Sequence, residues 1–145
     1  MTQVDIVVGS MLGASEYVAD ALKALLEEHD YQATIHLSPD IKDLAVDSIL
    51  LICTSTHGAG DYPDNIQSFA SSIEKKPANL NGRHFLLIGL GDSSYDTFCE
   101  AGKNLFSMLN SAGARPLTDP LYIDVLEHAI PEEHATEWLQ NWLSA

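Results

Sequence analysis

Three stretches of the chain gather hydroxyls, glycines and free backbone amides. The first is Gly9-Ser10-Met11-Leu12-Gly13-Ala14-Ser15, just ahead of a helical pattern. The first amides of a helix have no intrahelical partner, so two hydroxyls beside them make a site for a phosphate. The stretch holds no Lys or Arg, and it matches neither G-x-x-x-x-G-K-[ST] nor G-x-G-x-x-G. A plain serine-capped helix start would carry the same residues. The second stretch runs Thr54-Ser55-Thr56-His57-Gly58-Ala59-Gly60 and continues through Asp61-Tyr62-Pro63-Asp64-Asn65. The third runs Gly89-Leu90-Gly91-Asp92-Ser93-Ser94-Tyr95-Asp96-Thr97-Phe98-Cys99. Taken singly, these two read as polar loops, with Tyr95 and Phe98 packing locally. Three such loops, each at a predicted strand end, are together less easily dismissed than any one alone.

Other chemistries lack their residues. A phosphoacceptor receiver domain needs a carboxylate cluster after its first strand and an Asp ending its third. Those positions read Val8-Gly9-Ser10 and Cys53-Thr54. Neither Cys53 nor Cys99 is followed by the Arg of a cysteine phosphatase, and no G-x-S-x-G is present. His57 with Asp61 or Asp64 offers two metal ligands on one loop, a pairing common by chance. No catalytic side chain and no metal site are expected.

The elements that must position the loops follow from periodicity. Val4 to Val8 reads as a strand, and Val18, Ala21, Leu22, Leu25 and Leu26 form one helical face. Tyr31–Leu37 and Ser48–Cys53 are further strands, joined by an irregular connection at Asp43–Asp47. Ile66, Phe69, Ala70 and Ile73 make a helical stripe after Pro63-Asp64. Arg83–Gly89 is a fourth strand. Ala101, Leu105, Met108 and Leu109 mark a helix stopped at Gly113. Leu117–Val125 is a fifth strand, and Pro131 opens a helix that turns Ala135, Trp138, Leu139 and Trp142 inward. Five strand-helix units predict an α/β doubly wound, five-stranded parallel sheet of order 2-1-3-4-5, with helices on both faces. One domain over residues 1–145 is expected. Ligands of such sheets sit beyond the carboxyl ends of the strands, where the three loops fall.

Seven Lys and Arg stand against 21 Asp and Glu, a net charge of −14, while 46% of the residues are hydrophobic. That is enough apolar material for a core. The charge disfavours nucleic acid and anionic membranes but allows a basic protein partner. Two cysteines form no C-x-x-C pair and read as reduced thiols. No signal peptide or membrane-length apolar run is visible, so a cytoplasmic protein is expected.

The loop Ser55-Thr56-His57-Gly58-Ala59-Gly60-Asp61, with Pro63-Asp64-Asn65, resembles the S-T-Y-G-E-G-D loop of the flavodoxin domains of diflavin reductases. Gly89 to Tyr95, with Phe98-Cys99, resembles their second flavin loop, and Ser10-x-x-Gly13-x-Ser15 their phosphate loop. The whole chain is similar to short-chain flavodoxins, most like those of the MioC type. Flavodoxin is itself the standard example of the 2-1-3-4-5 order, so that topology is not independent support.

The resemblance implies an FMN-binding electron carrier. Ser10, Met11, Leu12, Gly13, Ala14 and Ser15 would wrap the FMN phosphate. Thr54, Ser55 and Thr56 would contact the phosphate and ribityl side. His57 would cover one flavin face, where the family has Tyr or Trp, and Tyr95 the other; Tyr62 is an alternative to His57. Gly58 matches the residue whose carbonyl turns toward flavin N5 on one-electron reduction, beside Ala59 and Gly60. Leu90, Gly91, Asp92, Phe98 and Cys99 would line the ring edge. Leu12 stands where many flavodoxins have Thr, removing one hydroxyl from the phosphate shell.

The implied partners are a basic-faced flavodoxin reductase and an electron-accepting enzyme, and MioC-type proteins are associated with biotin synthesis. A monomer is expected. An FMN-dependent quinone or nitro reductase, or a binding module without turnover, stays open. Asp61, Asp64, Asp92, Asp96 and Glu100 lie on or beside the flavin loops, with no Lys or Arg between Lys42 and Lys75 or between Arg83 and Lys103. An acidic cofactor rim is therefore expected.

Overall fold

The computed structural model describes residues 2–10, 13–57 and 59–145. Its strands are β1 (Gln3–Gly9), β2 (Gln32–His36), β3 (Ile49–Ser55), β4 (His84–Gly91), β5 (Arg115–Pro116) and β6 (Leu121–Asp124). Its helices are α1 (Ala14–Glu28), α2 (Gln67–Lys75), α3 (Glu100–Ser111) and α4 (Pro131–Leu143). All pairings between these strands are parallel, in the order β2-β1-β3-β4-β5, and β6 also pairs with β4. The expected doubly wound order is therefore the observed one.

Two elements differ from expectation. The expected fifth strand, Leu117–Val125, is a strand only at β6, and a separate two-residue piece, β5, pairs on the same side of β4 just ahead of it. Pro116 and Pro120 flank the break, and neither has an N–H for a continuous ladder. The β2–β3 connection carries one 3-10 turn, Ile41–Asp43, and no α-helix, so the five expected strand-helix units have four α-helices among the described residues.

The central strands are apolar because helices cover both faces. Val4, Ile6, Val8, Leu51, Cys53, Leu86 and Ile88 face α1 and α4. Val7, Leu50, Ile52, Phe85 and Leu87 face α2 and α3. In α1 the buried stripe is Ser15, Val18, Ala19, Leu22 and Leu26, so Ala19 takes the place expected of Ala21. Trp138 and Trp142 pack on the first core from α4, with Trp142 tilted against Tyr31 at a centroid distance of 6.5 Å. Gly113, at φ +89°, lets the chain reverse after α3, while the Ala114 amide bonds the Leu109 carbonyl at 3.0 Å. No described helix is long and apolar enough to cross a membrane.

One charged residue lies inside β1. Asp5 is 4% exposed, and its Oδ1 accepts from His36 Nε2 at 2.7 Å. Its Oδ2 accepts from the Ala45 amide at 2.9 Å and from Ser48 Oγ at 2.5 Å. Arg83 Nη1 donates to the carbonyls of Ala45 and Ser48 and to Ser48 Oγ, closing the network. The irregular β2–β3 connection is thus pinned by a network of polar side chains from four strands or strand starts. Burial raises the Asp5 carboxyl, but the Ser48, His36 and Ala45 hydrogen bonds outweigh it and hold the pKa below its ordinary 3.8. A depressed carboxylate stabilises the fold above its unfolded pKa and loses that contribution as pH falls through its folded one.

Asp5→Asn should therefore lower stability at neutral pH by roughly 1–3 kcal/mol, because an amide presents a donor to donors. It should also flatten the loss of stability on acidification below about pH 4. Urea unfolding of both proteins across that range measures this, and equal acid sensitivity would contradict it.

Candidate functional site

The strand ends are level. Gly9 pairs with Thr54, Thr54 with Gly89, and Gly89 with Tyr122, so one row of residues crosses four strands. The loops after β1, β3, β4 and β6 leave this edge together. Here α1 and α2 depart to opposite faces of the sheet, the switch point at which open α/β sheets bind ligands. Gly9 has to be a glycine: a Cβ there would overlap Thr54 Oγ1 and lie 2.8 Å from Ile66 Cδ1.

The first loop delivers a bare helix start. Gly13, at φ +89°, is the N-cap of α1, and no side chain caps the helix. Ser10 Oγ accepts from the Gly13 amide at 2.9 Å, and the Ser10 amide is taken by Asn65 Oδ1 at 3.0 Å. Both of those amides are therefore spent inside the protein. The first-turn amides of Ala14 and Ser15 have no intrahelical carbonyl to bond. Ser15 Oγ is fully buried and has no hydrogen-bond partner among the described residues. Met11 and Leu12 lie outside the described residues, as does Gly58 in the second loop.

The second loop closes on itself. The His57 amide donates to the Asp61 carbonyl and the Asp61 amide to the His57 carbonyl, both at 2.8 Å. Gly60, at φ +103°, presses on α3, where a Cβ would lie 3.0 Å from Glu100 Cγ. Thr56 Oγ1 accepts from the Ala101 amide at 3.1 Å and so caps α3 from a distant loop. Ser55 Oγ donates to the Gly9 carbonyl at 3.3 Å. Thr54 is fully buried, with its hydroxyl donating to the Ser55 carbonyl at 2.9 Å. Tyr62 packs into the second core, where burial, and then Glu74, push its hydroxyl pKa up. Of the two rings left open by the sequence, His57 reaches the cleft and Tyr62 does not.

The third loop is laced to its neighbours. Asp92 Oδ1 accepts from the Ser94 amide at 2.8 Å and from Ser94 Oγ at 2.5 Å. Asp124, at the end of β6, accepts from the Ser93 amide at 3.2 Å, and the Val125 amide donates to the Gly91 carbonyl at 2.9 Å. Hydrogen bonding from the Ser93 side chain leads the causes that hold Asp124 below its usual carboxylate range. Cys99 turns the chain at φ +54° before α3 and donates weakly from Sγ to the Gly89 carbonyl at 3.5 Å. Burial pushes its thiol up to about 12, with Lys103 opposing and Asp124 reinforcing the shift. Cys53 is likewise pushed up to about 12 by burial. Neither is a reactive thiolate at neutral pH.

Between these loops lies a cleft of about 430 Å³. Ala14, Leu90, Phe98 and Val125 give it apolar walls, and Ser55, Thr56, His57, Gly91, Asp92, Tyr95, Thr97 and Cys99 complete it. Tyr95 is 65% exposed and stands at the rim. Thr54, Ala59, Gly60, Ser10, Gly13 and Ser15 do not line the cleft, although Ala14, beside Gly13 and Ser15 at the head of α1, does. Thr97 and Val125 are lining residues that sequence reasoning missed. Val125 comes from the loop after β6, which carries no glycine or hydroxyl cluster to draw attention.

A mostly apolar slot with a few polar groups, opening beside an uncapped helix start, suits a flat heterocycle bearing a phosphate. The unpartnered Ser15 Oγ supports this fit, since a buried hydroxyl without a partner costs roughly 1–3 kcal/mol. Fold and site together define a doubly wound domain that binds a phosphorylated ring cofactor at its switch point.

The flavodoxin family model matches residues 6–138. Protein MioC of Escherichia coli K12 is 39% identical over 144 residues, covering 99% of this chain and 98% of that protein. Flavodoxin YqcA of the same organism is 33% identical, covering 98% and 97%. The structure of a C101A mutant of flavodoxin from Pseudomonas aeruginosa superposes with a TM-score of 0.90 at 32% identity, covering 99% of this chain and 97% of that one. The chain belongs to the flavodoxin family. It is an FMN-binding electron-transfer protein.

Tyr95→Ala should weaken FMN binding by roughly 1–3 kcal/mol, the worth of a ring stacked on an aromatic side chain. Flavin fluorescence titration of the apoprotein measures it, and an unchanged dissociation constant would remove Tyr95 from the site.

Proposed function

We propose that this chain carries single electrons from a basic-faced flavodoxin reductase to an acceptor enzyme, as a monomer in the cytoplasm. The likeness to MioC-type proteins supports biotin synthesis as the process the acceptor serves. The observation that carries the reading is the cleft, an apolar slot bordered by His57 and Tyr95 on two separate loops and open at its rim.

FMN supplies the one-electron chemistry when bound. The first-turn amides of α1 and Ser15 Oγ would hold its phosphate, and Ser55 and Thr56 would bind its ribityl side chain. Leu90, Phe98 and Val125 exclude water from the ring, while His57 and Tyr95 flank it. Gly91 permits this packing, because a Cβ there would lie 2.8 Å from the Cys99 amide nitrogen. No side chain has to act as acid, base or nucleophile.

The rim sets direction and partner. Asp61, Asp64 and Asp96 are exposed on the two flavin loops, and Asp92 lines the cleft. At an effective dielectric near 20, a carboxylate ~10 Å from a second negative charge is repelled by roughly 1–2 kcal/mol. Such a rim resists addition of electrons and so favours a strong reductant. A cation also stands beside this acidic rim. Lys103 Nζ lies 5.4 Å from the Phe98 ring centroid and 5.7 Å from that of Tyr122.

The purified chain should be yellow, should accept electrons from a flavodoxin reductase, and should not oxidise nicotinamide cofactors unaided. Rapid unaided turnover with a quinone or nitro compound would make it an enzyme instead. Neutralising Asp61, Asp64 and Asp96 to Asn should raise the potential by on the order of tens of millivolts. The same change should slow association with a basic reductase about tenfold at low salt and flatten its salt dependence. Potentiometry and stopped-flow measure both, and no change in either would discard the acidic rim as a docking face.

A further inference from the structure

Asn65 does not line the cleft, yet its side chain joins three separate segments. Its Nδ2 donates to the Val8 carbonyl near the end of β1 at 2.5 Å and to the Leu37 carbonyl just beyond β2 at 3.0 Å. Its Oδ1 accepts from the Ser10 amide at 3.0 Å. Two carbonyls meet the NH2 and one amide meets the oxygen, so the opposite amide orientation would set oxygen against oxygen.

The linkage continues to the anion site. Ser10 Oγ accepts from the Gly13 amide at 2.9 Å, and Gly13 is the N-cap that starts α1. Ser15, with its unpartnered buried hydroxyl, is two residues on. Asn65 itself is held firmly from below. It lies in the 3-10 turn Asp64–Ile66, and Ile66 is fully buried in the second core. The helix start that faces the ligand thus inherits its position from Asn65 through Ser10 and Gly13.

We propose that Asn65 is a positioning residue that sets the first loop for a phosphate, and that it thereby makes this chain prefer a phosphorylated flavin over an unphosphorylated one. The inference rests on the FMN reading above. Asn65 spends no atom on the ligand. It consumes the Ser10 amide that would otherwise compete for the loop's conformation, and it clamps the loop to β1 and β2. Asn is the side chain that fits, since it presents two donors and an acceptor on one short planar group. Asp has the same shape but no donor, and would face the Val8 and Leu37 carbonyls with a carboxylate.

The test uses the full-length apoprotein with FMN and riboflavin titrated separately. Asn65→Ala should raise the FMN dissociation constant about tenfold or more, the worth of one or two hydrogen bonds, while leaving riboflavin within about twofold. Asn65→Asp should be at least as severe. Unchanged riboflavin binding reports an intact ring cleft, which a merely structural defect would not preserve. Equal loss for both flavins, or an unchanged FMN constant, would overturn the proposal.

A second measurement needs no variant. Inorganic phosphate added to wild-type apoprotein should shift the Ser10 amide and the Asn65 side-chain amide together in nitrogen-15 spectra. A shifted Ser10 with an unmoved Asn65 would also overturn the proposal. A wild-type chain that binds neither flavin would sink the FMN reading itself. A wild type and variants that bind FMN equally well would keep that reading and remove only the role of Asn65.

Discussion

Everything in the site depends on the close lateral approach of strand ends along the row Gly9, Thr54, Gly89 and Tyr122. Gly9 has no room for a Cβ against Thr54, and Gly89 has little against Tyr122, where one would lie 3.0 Å away. The two glycines therefore alternate with two larger side chains, and each larger side chain fills the space its neighbour leaves. The same device brings α3 down onto β4, where a Cβ on Gly102 would lie 3.3 Å from the Gly89 Cα. Because the strands end level, loops far apart in sequence open at one edge and enclose one cleft. A bulkier residue in this row would part the strands where the cofactor cleft begins.

The loops are held by hydrogen bonds between segments distant in sequence. Thr56 caps α3 through Ala101, Asp124 receives the Ser93 amide, and Asn65 receives the Ser10 amide. Each bond ties one loop to a neighbour with its own anchor in the core. Such cross-bracing lowers the ordering cost that binding must overcome. Among the described residues no Lys or Arg lines the cleft, and amides fixed in direction can take the place of a cation opposite an anion. Cations elsewhere are placed with care. Lys103 sits over Phe98 and Tyr122, and Arg83 closes the network around Asp5 at the opposite end of β1.

Much of the fold was legible because periodicity follows burial. Ile66, Phe69, Ala70 and Ile73 repeat at helical spacing, and all four are buried on the α2 side of the sheet. The apolar run Leu50–Cys53 marks a strand covered on both faces, and all four of its residues are buried. The fifth strand reads as continuous along the sequence because its apolar residues, Leu117 and Leu121–Val125, lie on both sides of Pro120. Asp5 gave no sign of its role, since a lone Asp in a β-branched run looks like an edge residue. Its partners His36, Ala45 and Ser48 lie 31 or more residues away.

The sequence by itself determined the strand-helix alternation, the acidic balance and the loops that hold the chemistry, because these are local matters of residue type and spacing. Only the tertiary structure decided which member of each loop faces the cleft. His57 reaches it, whereas Tyr62 turns into the core and Thr54 turns inward. Val125 as a lining residue, and the bonds by which Asn65 joins three segments, became visible only once strands far apart in sequence were paired. A side chain's direction in a loop is set by hydrogen bonds to distant segments, and no spacing rule along one chain contains them.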